Sequence, residues 1–186
     1  MVNTRPVAAL FGGTFDPPHR GHQRIVETLT RQPEIEQVIV TPAWLNPFKH
    51  RSLATPEQRL EWCRQLFDAP GVLVDAGEIR AERPVYTAET LDRLNRTYDV
   101  RYLVIGSDNL AAIERWHDFD RINDAVTWLV FERPGYTEGY DKLRDYRRFA
   151  LDMPISSTAI RTERSTRHVD PVIAPQVHQI LTKGSE

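Results

Sequence analysis

Features typical of membrane-bound, disulfide-bonded and nucleic-acid-binding proteins are scarce in this sequence. The longest apolar run, Ala125 to Phe131, is far shorter than the roughly 20 residues that cross a bilayer. The one cysteine, Cys63, has no second cysteine to pair with, and the first residues lack the apolar stretch of a signal peptide. We therefore expect a reducing, cytoplasmic compartment. The 24 basic and 26 acidic residues nearly cancel, which argues against a strongly positive surface for nucleic acid or anionic lipid.

What the sequence does contain is an alternation of short apolar runs with longer segments of helical period. This order predicts an α/β fold in which crossover helices join parallel strands. An apolar content of 40% is enough for one sizeable core, so we expect residues 1–186 to form a single domain. The predicted strands are Val7 to Phe11, Val38 to Thr41, Val72 to Val74, Tyr102 to Ile105 and Ala125 to Phe131.

Helices are predicted between and after these strands. Thr55 suits an N-cap and Pro56 the first helical position, which predicts a helix start. Its buried face is predicted to comprise Leu60, Cys63 and Phe67. A second helix is predicted from Thr87 to Arg96, and a C-terminal helix from Pro175. We interpret the polar stretch Gly135 to Arg148 as a long loop that carries at most a short helix.

The first predicted strand runs into a glycine turn, and a helix start with His19 and His22 follows. Glycines let a ligand approach the backbone, and exposed amides at a helix start favour an anion. The two imidazoles lie three residues apart, so both can donate hydrogen bonds to the same phosphate oxygens. Gly21 between them is expected to leave room for a flat ring such as a purine. Taken singly, the glycine pair also fits an ordinary tight turn, and the histidines also fit zinc ligands.

A second candidate phosphate site lies near the end of the sequence. Ser156 or Ser157 can cap a helix N-terminus there, Thr158 follows in the first turn, and Arg161 lies about one turn further on. Hydroxyls, first-turn amides and a guanidinium can converge on one polyphosphate in this arrangement. By itself, the segment also fits an ordinary capped helix with a surface arginine. Two anion sites from opposite ends of the chain predict a polyphosphate bound between them.

These two motifs, His19-Arg20-Gly21-His22 and Ile155 to Arg161, carry a family resemblance. The sequence resembles the nucleotidyltransferases with HxGH and ISSTxxR motifs, and over nearly its whole length it is similar to the bacterial nicotinate-nucleotide adenylyltransferases. Phosphopantetheine adenylyltransferase and glycerol-phosphate cytidylyltransferase share the first and last motifs but lack the Tyr-Thr, Gly-Ser-Asp-Asn-Leu and Arg-Pro-Gly-Tyr set found in the other matching stretches. Those stretches are Glu78 to Leu91, Ile105 to Leu110, Arg115-Trp116 and Glu132 to Tyr136.

The resemblance implies a fold with a Rossmann-like, doubly wound parallel sheet. It also implies an enzyme that transfers the adenylyl group of ATP to nicotinate mononucleotide. The catalytic groups that it implies are His19, His22, Lys49 and Arg161. The ATP-binding residues that it implies are Gly12, Gly13, Thr14, Phe15, Gly106, Asp108, Ser156, Ser157 and Thr158. The acceptor-binding residues that it implies are Tyr86, Thr87, Trp116 and His117, with the Trp116 ring stacked on the pyridine ring.

The loop after the second strand departs from the family pattern. Relatives often have Pro-Pro-His-Lys where this sequence has Asn46-Pro47-Phe48-Lys49-His50. Lys49 retains a positive charge that can neutralise phosphate, whereas Phe48 replaces the imidazole.

Adenylyl transfer by direct in-line attack requires no protein nucleophile. Mg²⁺ is expected to be held through the ATP phosphates, so no protein metal ligands are predicted. The sequence leaves open a different acceptor, nicotinamide mononucleotide or phosphopantetheine, and also a nucleotide sensor that binds without turnover. It leaves the oligomeric state open as well, a homo-oligomer included. Neither a nucleic acid nor a membrane is an expected partner.

Overall fold

A computed structural model describes residues 5–45, 52–136, 138–151 and 153–183. At its centre is one six-stranded sheet with strand order β3-β2-β1-β4-β5-β6, in which every neighbouring pair is parallel. The predicted α/β architecture with a doubly wound parallel sheet is therefore confirmed. The strands are β1 (Val7–Gly13), β2 (Gln37–Pro42), β3 (Val72–Val74), β4 (Asp99–Gly106), β5 (Thr127–Glu132) and β6 (Tyr146–Ala150).

Helices cover both faces of the sheet. They are α1 (Arg20–Leu29), α2 (Pro56–Leu66), α3 (Gly77–Ala81), α4 (Thr87–Leu94), α5 (Phe119–Ala125), α6 (Ser157–Glu163) and α7 (Ala174–Lys183), with 3₁₀ segments at Ser107–Arg115 and Tyr140–Lys142. Because side chains alternate along a strand, Ala8 and Leu10 of β1 face α4 and α5, whereas Phe11 faces α1 and α2. The sheet is thus the middle layer of three.

The predicted start of α2 is confirmed in detail. Thr55 is the N-cap, and its Oγ1 accepts a hydrogen bond from the Gln58 amide at 3.2 Å. The predicted apolar face of this helix is buried, as expected from its spacing. One charged side chain, that of Arg59, is buried beside it.

Several predicted boundaries were wrong. Ala125 is the last residue of α5, and β5 begins only at Thr127. The stretch Gly135 to Arg148, interpreted as a long loop with a short helix allowed, does contain a short 3₁₀ helix, but it also contains the first residues of β6. The helix predicted to end at Arg96 ends at Leu94, and the C-terminal helix begins at Ala174 rather than Pro175. Apolar content alone did not separate α5 from β5, because Ala125 and Val126 continue the apolar run of the strand.

The strand order creates the place for a ligand. β1 pairs with β2 on one side and with β4 on the other, so the crossovers from β1 and β4 leave in opposite directions. In an open parallel sheet, a crevice forms at the carboxyl ends of the strands at such a switch point. Among the described residues, no helix is long and apolar enough to cross a membrane.

Candidate active site

A cleft of about 320 Å³ opens at the carboxyl ends of β1 and β4. Every site residue predicted from the sequence that falls within the described ranges lines it. These residues are Gly12, Gly13, Thr14, Phe15, His19, His22, Tyr86, Thr87, Gly106, Asp108, Trp116, His117, Ser156, Ser157, Thr158 and Arg161. Lys49 and Phe48 lie outside the described residues.

The glycine turn borders the cleft with its backbone. A Cβ on Gly12 would meet nothing within 4 Å, whereas one on Gly13 would lie 3.0 Å from the ring of Phe15. Phe15 has φ 50°, a left-handed conformation that non-glycine residues rarely adopt. Its ring is buried, with its centroid 4.9 Å from that of His22. Phe15 therefore contributes its side chain to the core, and only its backbone is available to a ligand.

His19 and His22 form a stacked pair at the start of α1. Their ring centroids are 3.7 Å apart at an interplanar angle of 24°, and the His19 amide donates to His22 Nδ1 at 3.1 Å. A Cβ on Gly21 would lie 3.0 Å from the His19 ring, so this glycine makes room for an imidazole rather than for a purine. The His19 side chain is buried, yet neither ring nitrogen has a hydrogen-bond partner among the described residues.

Both histidines are uncharged at neutral pH. Burial lowers the pKa of His19 to about 3, with smaller contributions from Arg133 and His168. Burial, then His19 and Arg133, also lowers the pKa of His22 well below its ordinary value. A neutral imidazole carries one N–H donor. Because His22 Nδ1 accepts the His19 amide, its proton is on Nε2, where it can be donated to a ligand.

The second predicted phosphate site is joined directly to the first. Ser156 caps α6, its Oγ accepting from the Ala159 amide at 3.0 Å. The Ser157 hydroxyl donates to the carbonyl of Pro17 at 2.9 Å, and the Arg161 guanidinium donates to the carbonyl of Asp16 at 2.5 Å. The two motifs, about 140 residues apart in sequence, thus form one wall, which we call the turn end of the cleft.

Arg133 belongs to this end but was given no role from the sequence. It follows β5, and its Nε lies 3.2 Å from Asp108 Oδ1 while its amide donates to Ser107 Oγ at 2.9 Å. Gly106 accommodates both side chains, since a Cβ there would lie 2.3 Å from Asp108 Oδ1. Its position after a strand could have indicated a role. Arg133 follows β5, which pairs with β4, so the carboxyl ends of the two strands meet at one edge of the sheet.

Aromatic side chains line the opposite, more exposed part of the cleft, which we call the aromatic end. The rings of Tyr86 and His117 lie 4.5 Å apart, and Tyr86 is 45% exposed. Trp116 is half-buried and contacts the core residue Trp128 edge-on at 6.0 Å. Trp116 thus packs against the core and also borders the cleft.

A buried acid at the aromatic end was also missed. Glu78 is buried, lines the cleft and accepts a hydrogen bond from Thr90 Oγ1 at 2.8 Å. Burial raises the pKa of Glu78 to about 7, although the Thr90 hydroxyl opposes this effect. The sequence placed Glu78 within a family-like stretch, but the burial that gives it an unusual pKa depends on tertiary packing.

Zinc was an alternative ligand for the histidine pair. Within the described ranges, no group of three or more His, Cys, Asp or Glu side chains is arranged to hold a metal ion. Asp108, which lines the cleft, is paired with Arg133, and Asp16, which is buried next to the glycine turn, accepts the amides of Leu53 and Ala54 at 2.7 and 3.0 Å. These carboxylates are already engaged by protein donors.

Comparison with known proteins identifies the family of the chain. Residues 10–163 match a family model described as cytidylyltransferase-like. The chain is 46% identical over the full length of both chains to a probable nicotinate-nucleotide adenylyltransferase of Sulfurovum sp.. It is 37% identical to one of Nitratiruptor sp., covering 91% of this chain and 95% of the relative.

Solved structures support the fold. A Plasmodium falciparum nicotinic acid mononucleotide adenylyltransferase complexed with NaAD superposes with a TM-score of 0.76 at 15% identity. The alignment covers 97% of this chain and 96% of that one. Given also the sequence matches over its whole length, the chain belongs to the nicotinate-nucleotide adenylyltransferase family of cytidylyltransferase-like enzymes.

Proposed function

We propose that the chain transfers the adenylyl group of ATP to nicotinate mononucleotide, giving nicotinate adenine dinucleotide and pyrophosphate. The observation that carries the proposal is a single cleft with an anion-binding end and an aromatic end. The family relatives are named for this reaction. A step in NAD biosynthesis follows from the product.

ATP is proposed to occupy the turn end. Exposed backbone at Gly12 and the side chains of His19, His22 and Arg161 offer donors to the phosphates. Ser156, Ser157 and Thr158 border the same space, so the β and γ phosphates are assigned there. Asp108 and Gly106, at the end of β4, are assigned to the adenosine part. Arg133 joins this set, because its guanidinium shares the wall with Asp108.

The chemistry proposed is direct in-line attack by an acceptor phosphate oxygen on the α-phosphorus of ATP. A new O–P bond forms, the bond to the bridging oxygen breaks, and pyrophosphate leaves with that electron pair. No proton has to be removed, because a phosphomonoester is largely ionised near pH 7, its second pKa being about 6. Catalysis then consists of positioning and of neutralising the charge on the phosphate oxygens. The one thiol, Cys63, is buried in the core, and burial raises its pKa, so it is no nucleophile.

Mg²⁺ is proposed to arrive as the MgATP complex. This assignment fits the cleft, because Asp16 and Asp108 already have protein partners, and Mg²⁺ binds readily through substrate phosphates. Lys49 is proposed to add a positive charge to this site, in keeping with the family pattern.

The acceptor is proposed to occupy the aromatic end. Trp116 offers a half-buried face for a pyridine ring, while Tyr86, Thr87 and His117 border the same space. Thr87 and the backbone near His117 are assigned to the carboxylate of the ring. We further propose a cytoplasmic location, since the buried thiol of Cys63 is compatible with a reducing compartment.

Pyrophosphate release tests the proposal. Purified protein with ATP and Mg²⁺ should release pyrophosphate fastest with nicotinate mononucleotide, and more slowly with nicotinamide mononucleotide or phosphopantetheine. A preference for either of the other acceptors would retain adenylyl transfer but contradict the assignment of the aromatic end. ATP binding without pyrophosphate release in the presence of any of the three would indicate a nucleotide sensor.

A further inference from the structure

Arg59 is a fully buried charged residue that no part of the proposed reaction uses. It lies on α2, beneath the turn end of the cleft, with no exposed surface. Its Nη1 donates to the carbonyls of Thr14 and Ala43 at 2.6 and 2.7 Å. Its Nη2 donates to the carbonyl of Trp44 at 2.7 Å, and its Nε to that of Ala54 at 3.4 Å. One guanidinium therefore connects the glycine turn, the end of β2 and the start of α2.

The Arg59 bond to Thr14 and a neighbouring backbone bond fix the direction of two amides in the glycine turn. In a trans peptide, the carbonyl and the following N–H point in opposite directions. Because Arg59 holds the Thr14 carbonyl, the Phe15 N–H points away from Arg59. In the same way, the Gly13 carbonyl accepts the Ala43 amide at 2.9 Å, so the Thr14 N–H points away from β2. Neither of these two N–H groups has an acceptor among the described residues.

The backbone at this turn is strained as well as oriented. Phe15 has φ 50°, a conformation that costs a non-glycine residue free energy and that persists only when its surroundings hold it. The Arg59 bond to Thr14 holds one side of this residue, and the buried Phe15 ring holds the other. Strain combined with unpartnered amides is typical of a backbone arranged to meet a ligand.

Asp16 completes the support from the opposite side. Its carboxylate is buried and accepts the amides of Leu53 and Ala54, while Arg59 takes the carbonyl of Ala54. The segment before α2 is thus bonded to two opposite charges. Such a network requires a long, forked donor, because an arginine presents five N–H groups in fixed directions.

We propose that Arg59 is a positioning residue for polyphosphate binding: by holding the Thr14 carbonyl, it presents the Phe15 amide to the phosphates in the cleft, beside the Thr14 amide that the Gly13–Ala43 bond directs. The identity of the nucleotide rests on the proposed function, but the presentation of amides to a polyphosphate does not. The Arg59 side chain itself touches no ligand.

The test compares three variants, R59M, R59K and W62F. Methionine removes every donor but retains an unbranched side chain, whereas lysine retains a charge and can reach only some of the carbonyls. Trp62→Phe is the matched control, because Trp62 is buried on the same helix and loses one hydrogen bond, Nε1 to Gln176 Oε1 at 2.8 Å, away from the cleft. Binding of inorganic tripolyphosphate and of ATP is measured by calorimetry, and unfolding by denaturant.

R59M should bind tripolyphosphate about tenfold or more weakly, as expected when oriented donors to a charged group are lost. The KM for ATP should rise by a similar factor, while the KM for the acceptor stays within about twofold of wild type. The affinity of R59K for tripolyphosphate should fall between those of wild type and R59M. W62F should lose stability without losing affinity for tripolyphosphate. If R59M does not fold, the test uses R59K, which should bind tripolyphosphate more weakly than wild type.

Three results would overturn the proposal. One is a folded R59M or R59K that binds tripolyphosphate as tightly as wild type. The second is a W62F variant that loses as much stability as R59M and also as much affinity for tripolyphosphate, since Arg59 would then act through stability alone. The third is a wild-type chain that binds no polyphosphate. Weaker tripolyphosphate binding in R59M, together with no turnover of any acceptor by wild type, would instead support Arg59 and contradict only the proposed function.

Discussion

The two ends of the cleft are built on different principles. At the turn end, His19 and Asp16 are buried, and hydrogen bonds join segments about 140 residues apart. At the aromatic end, the rings of Tyr86 and His117 lie against each other at a tilt, with much of their surface exposed. The turn end presents hydrogen-bond donors whose directions are held by neighbouring residues. The aromatic end presents flat ring faces, whose exact orientation matters less.

This difference follows from what each end is proposed to bind. A polyphosphate requires many donors in defined directions, and each misdirected donor leaves charge uncompensated. A planar ring requires contact area, which an aromatic face supplies over a range of positions. Burial also shifts the pKa values at the two ends in opposite directions. It lowers the pKa of His19 at the turn end and raises that of Glu78 at the aromatic end.

The strongest test of the turn end is His19→Ala. Removing a neutral donor that is assigned to the phosphates should lower kcat by about 10²- to 10³-fold, the usual loss for one oriented donor. Pyrophosphate release measures the effect, and circular dichroism checks the fold. The matched control is His178→Ala, on the exposed face of α7, which should leave kcat unchanged. A His19→Ala enzyme with kcat within twofold of wild type would remove His19 from the mechanism.

Glu78→Gln tests whether the buried acid of the aromatic end titrates as proposed. Between about pH 4.5 and 7, native Glu78 retains a proton that the unfolded chain has released. The free energy of unfolding therefore falls as pH rises through this window, by roughly 3 kcal/mol for this one group. Urea unfolding at pH 5 and pH 8 measures this fall, which Glu78→Gln should remove and exposed Glu82→Gln should retain. Identical pH slopes in wild type and Glu78→Gln would contradict it.

The histidines of the turn end change the free energy of unfolding with pH in the opposite direction to Glu78, because they make the protein more stable as pH rises. The pKa of His19 is about 3 in the folded chain and near 6.5 when unfolded, so the unfolded state binds the proton more tightly. The stabilising contribution of His19 is complete above about pH 6.5 and is lost as pH falls towards 3, and that of His22 is also lost as pH falls. The His19→Ala variant should accordingly lose less stability in acid than wild type does.

Arg161→Ala tests the link between the two motifs. The guanidinium contacts the Asp16 carbonyl and Thr158 Oγ1, and it is assigned to the β and γ phosphates. We expect kcat/KM for ATP to fall about 10- to 100-fold, the effect of one or two charged hydrogen bonds. Steady-state kinetics measures it, with exposed Arg167→Ala as the matched control. A rise in the KM of the acceptor alone would place Arg161 at the wrong end.

Trp116→Ala should have the smallest of these effects and should act at the aromatic end. Loss of a stacking face should raise the KM of the acceptor by about tenfold, in the range of one base stacked on an aromatic side chain. The KM of ATP should change by less than about twofold. Trp116→Phe should recover most of the affinity, because a smaller ring still offers a face. Equal rises in both KM values would erase the distinction between the two ends.

Local sequence patterns predicted one end better than the other. The glycine turn and the histidine pair were predictable, because β1, the turn and α1 are consecutive in the chain. Arg133 was given no role, because only the pairing of β4 with β5 brings it to Asp108. Arg59 was missed for a similar reason, since a helical arginine is normally exposed and only tertiary contacts bury this one.

The fold was predicted wherever burial left an apolar run. The five predicted strands all exist, although Ala125 belongs to a helix. β6 was missed because its residues are mostly exposed at the sheet edge and include Arg147 and Arg148, so no apolar run marks it. Phe15 was assigned to ATP without the information that its ring is buried in the core.

The exposure of the aromatic end also bears on how such proteins diverge. Substitutions at exposed positions usually change stability by less than about 0.5 kcal/mol, so Tyr86 and His117 can vary without threatening the fold. His19, Asp16 and Arg59 are held by buried contacts and have no such freedom. Under the proposed assignment of the two ends, selection can therefore exchange the molecule that receives the nucleotide while the apparatus that activates the nucleotide is inherited unchanged.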